Sequence, residues 1–102
     1  MAKVMWTAKH IFKSELHLRK HLKKDRKNFL KIASKLKKLG MINAKRGIIA
    51  KEKNLFAHIG FILFKNKPAY KKAMKIINQA KWDKKIPKKN RYETFVLDKE
   101  IY

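Results

Sequence analysis

A regular spacing of apolar residues predicts a long helix over about residues 14–39. The apolar side of this helix would consist of Leu18, Leu22, Phe29, Leu30, Ala33, Leu36 and Leu39. Ser14 is a suitable N-cap, and Gly40 suits the residue that follows the last turn. Asp25 and Asn28 interrupt the pattern, so the same segment can also be interpreted as two helices with a turn near residue 25.

The pattern changes after this helix and predicts a short hairpin or buried strand region over residues 41–64. Residues 41–51 contain a turn signal at Arg46 and Gly47 between two short apolar stretches, which indicates a pair of strands. Residues 55–64 carry no charge and suit neither an amphipathic helix nor a half-exposed strand. Such a run indicates a buried element, either strand or helix, at the centre of a small core.

The last third of the chain predicts a second helix and then an extended segment. Asn66 and Pro68 suit the N-cap and the first turn of a helix over about residues 67–81. The residues that follow combine a proline with many cations, which favours an extended conformation. Residues 92–97 alternate between apolar and polar side chains well enough to form a strand.

Together these elements predict an α+β fold that is dominated by its helices. Residues 1–81 would form a single small basic domain, and residues 82–102 would form an extended basic C-terminal segment. A chain of 102 residues is long enough for one domain with a modest core.

The charge of the chain changes the picture more than any motif does. Lys and Arg number 29 against 7 Asp and Glu, which gives a formal net charge of +22. A compact state with this excess repels itself, and a polyanionic partner would relieve the repulsion. Most of these cations are lysines, as expected for a genome poor in G and C, but that bias does not explain the scarcity of acids. Nucleic acid is the first partner that the charge indicates, and anionic lipid is the second.

The cations concentrate on the predicted helix, near residue 45 and in the C-terminal segment, where they are predicted to contact RNA phosphates. The predicted phosphate-binding residues are Lys13, Arg19, Lys20, Lys23, Lys24, Arg26, Lys27, Lys31, Lys35, Lys38, Lys45, Arg46, Lys84, Lys85, Lys88, Lys89 and Arg91. A solvated helix face is the simpler explanation of a charge run, but such a face usually mixes both signs. Trp6 and Trp82 lie among cations and are candidates for stacking on exposed bases.

The sequence shows no recognisable set of catalytic or metal-binding residues. The chain has no cysteine and only scattered acids, so it is predicted not to be an enzyme and to need no cofactor. If a helix began near residue 7, His10, His17 and His21 would share one face of it, and an i,i+4 histidine pair can bind zinc. No carboxylate completes this group and the surrounding cations would repel a metal ion, so no metal site is predicted.

These observations favour a structural RNA-binding protein, in particular a ribosomal protein that contacts rRNA and neighbouring proteins of a large assembly. Such a protein would be intracellular, in a cytoplasmic or mitochondrial ribosome. A small winged-helix DNA-binding protein is an alternative, with residues 14–24 and 26–39 as the helix-turn-helix and 41–64 as the wing. A membrane-associated basic subunit is a further alternative, without a membrane span, because residues 55–64 provide about half the length that a spanning helix needs.

Overall fold

The computed structural model describes residues 2–48, 56–80 and 89–97. The elements are, in chain order, β1 (Val4–Phe12), α1 (Glu15–Leu39), β2 (Met41–Ile48), β3 (Phe56–Phe64), α2 (Lys67–Gln79) and β4 (Lys89–Val96). Within these residues the four strands form one antiparallel sheet in the order β2-β3-β1-β4, and both helices pack on the same face of it. Helix and strand content are about equal, so the prediction of a helix-dominated fold is wrong.

The strand β1 is the largest departure from the predicted elements. One interpretation of the sequence places the start of a helix near residue 7, but Val4–Phe12 form this strand. β1 occupies a central position in the sheet, where Val4 pairs with Phe64 of β3 on one side and with Val96 of β4 on the other. Its hydrogen bonds therefore go to segments that are far away in the sequence, which a local pattern cannot reveal.

The predicted long helix is confirmed as α1, one continuous helix of 25 residues. The Ser14 hydroxyl accepts a hydrogen bond from the backbone N–H of His17 at 3.2 Å and caps the first turn. Gly40 ends the helix in the left-handed conformation, with φ of 117°. Asp25 lies inside the helix, and no turn interrupts α1 there. The winged-helix interpretation needed that turn and is therefore wrong for residues 15–39.

The uncharged run at residues 55–64 contributes the strand β3, which settles the choice between strand and helix for its described part. β2 pairs with β3 in antiparallel orientation. The predicted turn at Arg46 and Gly47 is wrong, because β2 continues through both residues and pairs them with Gly60 and Ile59.

The second predicted helix is confirmed as α2, in which Asn66 Oδ1 accepts a hydrogen bond from the backbone N–H of Ala69 at 2.9 Å. β4 includes most of the predicted strand at 92–97, but it pairs with β1 and so belongs to the sheet rather than to a separate extended segment. Neither described helix is long and apolar enough to cross a membrane. The predicted site residues Trp82, Lys84, Lys85 and Lys88 lie outside the described residues.

The core between the helices and the sheet has two parts. The larger part contains the buried residues Leu36, Ile62, Phe64, Ala69, Ala73 and Ile77. The smaller part contains Phe12 and Leu18, with Leu22 and Phe56 packed against them. Phe12 and Phe64 belong to opposite ends of the paired strands β1 and β3. Ala8 and Gly60 pair with each other between these ends, and their small size leaves space between the two parts of the core.

Candidate functional site

A cavity of about 750 Å³ occupies the space between the sheet and the helices. On the sheet side it is lined by the small residues Ala8, Ala44 and Gly60, and on the helix side by larger apolar residues such as Phe29 and Met74. A volume of this size is typical of sites for small molecules, which are about 300–1,000 Å³. The cavity exists because the sheet has small side chains where the two parts of the core separate.

An aromatic pair forms part of the cavity wall. The rings of Trp6 on β1 and Tyr92 on β4 are stacked, with centroids 5.7 Å apart and planes inclined by 8°. Partial burial raises the pKa of the Tyr92 phenol above its ordinary value of 10.0. The phenol is therefore protonated at neutral pH and can donate a hydrogen bond into the cavity. Trp6, predicted to stack on RNA bases, is half-buried in this pair and packs against the larger part of the core.

Three buried histidines from three different elements lie together at the wall of the cavity. His10 on β1 pairs directly with His58 on β3, and His21 of α1 lies against both. The ring centroids of these residues, which we call the histidine trio, are between 4.6 and 5.0 Å apart. One nitrogen of each ring lies within 4.8 Å of one nitrogen of each other ring.

The histidine trio differs from the group that the sequence indicated. His10 was expected on a helical face with His17 and His21, but it lies on β1 and reaches His21 from the sheet. His58 takes the third place, since the register of β1 and β3 puts it beside His10. The alternation of residues in β1 is the signal that would have indicated this arrangement, because it places His10 on the same face as Ala8 and Phe12.

Polar groups accompany two members of the histidine trio. His10 Nδ1 lies 2.5 Å from Asn90 Oδ1, which is a hydrogen-bond distance. His21 Nε2 lies 3.9 Å from the Asp25 carboxylate, one helical turn further along α1. Arg46 Nη1 lies 3.9 Å from the same carboxylate and donates a hydrogen bond to the backbone carbonyl of Leu22 at 2.9 Å.

The predicted phosphate-binding residues divide into two groups in the structure. Arg26, Lys45 and Arg46 line the cavity and make it favourable for an anion. All described members are exposed, and most of those that do not line the cavity lie on the outer surface of α1: Lys13, Arg19, Lys20, Lys23, Lys24, Lys27, Lys31, Lys35, Lys38, Lys89 and Arg91. The structure therefore does not bring all the predicted residues into one site.

No protein-family profile and no curated protein matches this sequence. Solved structures resemble the fold. A dimeric ferredoxin-like protein from an uncultured marine organism has a TM-score of 0.87 at 9% identity, over 99% of this chain and 100% of its own. A second dimeric ferredoxin-like protein of marine origin has a TM-score of 0.81 at 19% identity, over 98% of both chains.

A variant of SnoaB, a cofactor-independent oxygenase from Streptomyces nogalater, is also similar, with a TM-score of 0.61 at 7% identity over 99% of this chain and 98% of its own. Identities this low establish the architecture and leave the activity to be argued from the residues of the site. The chain therefore has a ferredoxin-like α+β fold, in which two helices cover one face of a four-stranded antiparallel sheet over the described residues.

Proposed function

We propose that this chain binds a small aromatic anion in the cavity and that the histidine trio acts on the bound molecule. The observation that carries the proposal is the combination of aromatic walls, cationic side chains and buried histidines in one cavity of about 750 Å³. Apolar pockets with a few convergent polar groups are typical of ligand and substrate sites.

Each part of the cavity wall has a role in this binding mode. The Trp6–Tyr92 pair and Phe29 provide apolar and aromatic surface for a flat ring. Arg26 provides a guanidinium group, which binds carboxylates through paired hydrogen bonds. The net charge of +22 would also attract anions towards the protein over a longer range.

The histidine trio supports an enzymatic role, in place of the predicted absence of catalysis. Histidine is the side chain that most readily exchanges protons near neutral pH, and a buried position beside the ligand suits a general acid or base. The similarity to SnoaB also supports an enzymatic role, because that protein is a cofactor-independent oxygenase with a comparable architecture. We therefore propose an enzyme that acts on an aromatic anion, in which the histidine trio serves as the general acid or base.

A substitution at Gly60 tests whether the cavity binds a ligand. A Cβ at Gly60 would meet only the backbone oxygen of Ala8, at 3.9 Å, so a larger side chain can enter the cavity without a clash. We expect the fluorescence of the wild-type protein to be quenched saturably by naphthoate, used as a model aromatic carboxylate. Gly60→Val should weaken this binding at least tenfold while the melting temperature stays close to that of the wild type.

Gly47→Val is the matched control for this experiment. Gly47 is also a strand glycine, but a Cβ there meets nothing within 4 Å, and the residue does not line the cavity. The control should bind naphthoate like the wild type. Equal binding by the Gly60→Val and Gly47→Val variants would contradict the proposal.

A second candidate function is RNA binding through the outer surface of α1. The observation that favours it is the uniform charge of that surface, where Lys20, Lys23, Lys27 and Lys31 are all exposed. Glu15 is the acid of the first turn, and its ion pair with Arg19 at 2.7 Å is exposed and therefore weak. The remaining cations on this surface suit phosphate contacts, which release counterions from the nucleic acid.

A further inference from the structure

We propose that the histidine trio of His10, His21 and His58 holds one divalent transition-metal ion at the wall of the cavity. This proposal goes beyond the proposed function, because it replaces the acid–base role of the three imidazoles with the binding of an ion, while the binding of an aromatic anion in the cavity is unaffected. It depends on the geometry of the trio and of the oxygen atoms beside it, so it holds even if the cavity binds no aromatic anion.

The first argument is the convergence of three imidazoles from separate elements. One nitrogen of each ring lies within 4.8 Å of the others, and the three side chains are only 9%, 5% and 2% exposed. The nitrogens of a tetrahedral zinc site lie about 3.3 Å apart, since each Zn–N bond is about 2.0–2.1 Å. Small rotations of the rings would close the remaining gap, and the paired strands already hold His10 and His58 side by side.

The second argument is the set of oxygen atoms beside the trio. A histidine that binds a metal through one nitrogen usually donates the N–H of its other nitrogen to a carbonyl or carboxylate oxygen. Asn90 Oδ1 at 2.5 Å would accept the proton of His10 Nδ1, and this tautomer carries its lone pair on Nε2. The Asp25 carboxylate at 3.9 Å from His21 Nε2 favours the tautomer that carries its lone pair on Nδ1. Both histidines therefore have the type of outer partner that a metal ligand needs.

The charge around the trio opposes a metal ion but is partly offset. Neutral imidazoles bring no charge of their own, and the Asp25 carboxylate brings one negative charge close to His21. Arg46, one of the cations lining the cavity, is turned towards that carboxylate and towards the carbonyl of Leu22. The Asp25 carboxylate therefore offsets part of the repulsion from the neighbouring cations, and the affinity for the ion should rise with ionic strength because salt screens the rest.

The ligand set also indicates which ions would bind. Three imidazole nitrogens favour Zn²⁺, Cu²⁺, Ni²⁺ or Fe²⁺ over Mg²⁺ and Ca²⁺, which prefer oxygen. Three protein ligands leave a coordination position of a tetrahedral ion for water or for a ligand. Since the trio lines the cavity, that position would be accessible to a molecule bound there. This arrangement is typical of a catalytic rather than a structural metal centre.

Metal titration of the untagged, chelator-treated protein tests the proposal directly. We expect one equivalent of Zn²⁺ to bind in calorimetry, and one equivalent of Co²⁺ to give the visible absorption of a tetrahedral site. His21→Gln and His58→Gln should each lower the Zn²⁺ affinity at least 100-fold. The matched control is His17→Gln, because His17 lies one turn before His21 on the same helix and outside the trio, so this variant should keep the wild-type affinity.

Asn90→Ala provides a second variant in case the histidine substitutions disturb folding. Asn90 is an exposed residue of β4, so its replacement should leave the fold intact while lowering the affinity for Zn²⁺ about 10–100-fold. The proposal is overturned if the wild type binds no stoichiometric Zn²⁺ or Co²⁺, or if His17→Gln, Asn90→Ala and the trio variants bind equally. Gly60→Val should keep its Zn²⁺ affinity while losing naphthoate, which separates this proposal from the proposed function.

Discussion

Gly40 and Gly60 differ in how much space a Cβ atom would have. A Cβ on Gly40 would lie 2.8 Å from the Ala69 Cβ and 2.9 Å from two carbons of Lys65. Gly40 also has a φ of 117°, which side chains disfavour. A Cβ on Gly60 would meet only one backbone oxygen at 3.9 Å. One glycine therefore permits close packing where α1 meets α2, and the other leaves the cavity open.

Gly40→Ala should destabilise the protein by about 2–4 kcal/mol, because it adds left-handed strain to a steric conflict with Ala69. Urea unfolding followed by circular dichroism measures the change. Gly47→Ala is the control, since Gly47 has open space around its Cβ position, and it should change stability by less than about 1 kcal/mol. Equal effects of the two substitutions would show that packing at Gly40 is not tight.

At the scale of the element, α1 has one face buried against the sheet and one exposed, cationic face. Leu18, His21 and Leu36 are its buried residues and connect it to both parts of the core and to the histidine trio. The opposite face carries the exposed lysines and arginines. Because the helix is continuous, the same element both closes the cavity and presents a cationic surface to solvent.

Substitution of two lysines on the outer face of α1 tests the second candidate function. If this face binds RNA, Lys27→Ala with Lys31→Ala should weaken binding and reduce the slope of log affinity against log salt by about 2. Filter binding over a range of salt concentrations measures both quantities. The matched pair Lys71→Ala with Lys75→Ala removes the same charge with the same spacing from α2. If both pairs weaken binding equally, the effect is one of net charge and α1 has no special role.

At the scale of the whole molecule, the helices cover one face of the sheet and leave the other face open within the described residues. Phe61 and Phe95 lie on this open face and are 37% and 45% exposed. Because exposed apolar residues on an open sheet face are typical of interaction surfaces, we expect two copies of this chain to associate through their open faces and bury these phenylalanines.

Light scattering after size exclusion tests this association. The wild type should have twice the mass of the 12.2 kDa chain, and Phe61→Ser with Phe95→Ser should shift it towards the monomer. Association should increase with salt, because Lys9 and Arg91 pair with each other on the open face and two copies would repel. Leu16→Ser is the control, since Leu16 is 60% exposed but lies on α1. A monomeric wild type at every concentration would contradict the prediction.

Much of the helical structure could be predicted from the sequence, because its determinants are local. Ser14, Gly40 and Asn66 lie within one turn of the groups that they cap, and the apolar spacing of each helix is visible in a short window. The strand β1 could not be recognised in the same way. Its short length and mixed composition suited a helical extension as well as a strand until its partners were known.

The candidate site was even harder to predict from the sequence. His10, His21 and His58 are far apart in the chain, and their proximity depends on the register of β1 with β3 and on the position of α1 above them. The cavity depends on Ala8 and Gly60 being paired across two strands. Neither property is present in any local segment.

The uncharged run was predicted to be buried, but β3 leaves Phe61 exposed on the open face of the sheet. The sequence by itself determined the two helices and the net charge of +22. These depend on residues within a few positions of one another or on composition alone. Only the tertiary structure decided that β1 is a central strand, that the sheet has an open face, and that three histidines share one cavity. The physical reason is that a strand takes its hydrogen-bond partners, and a site its side chains, from distant parts of the chain.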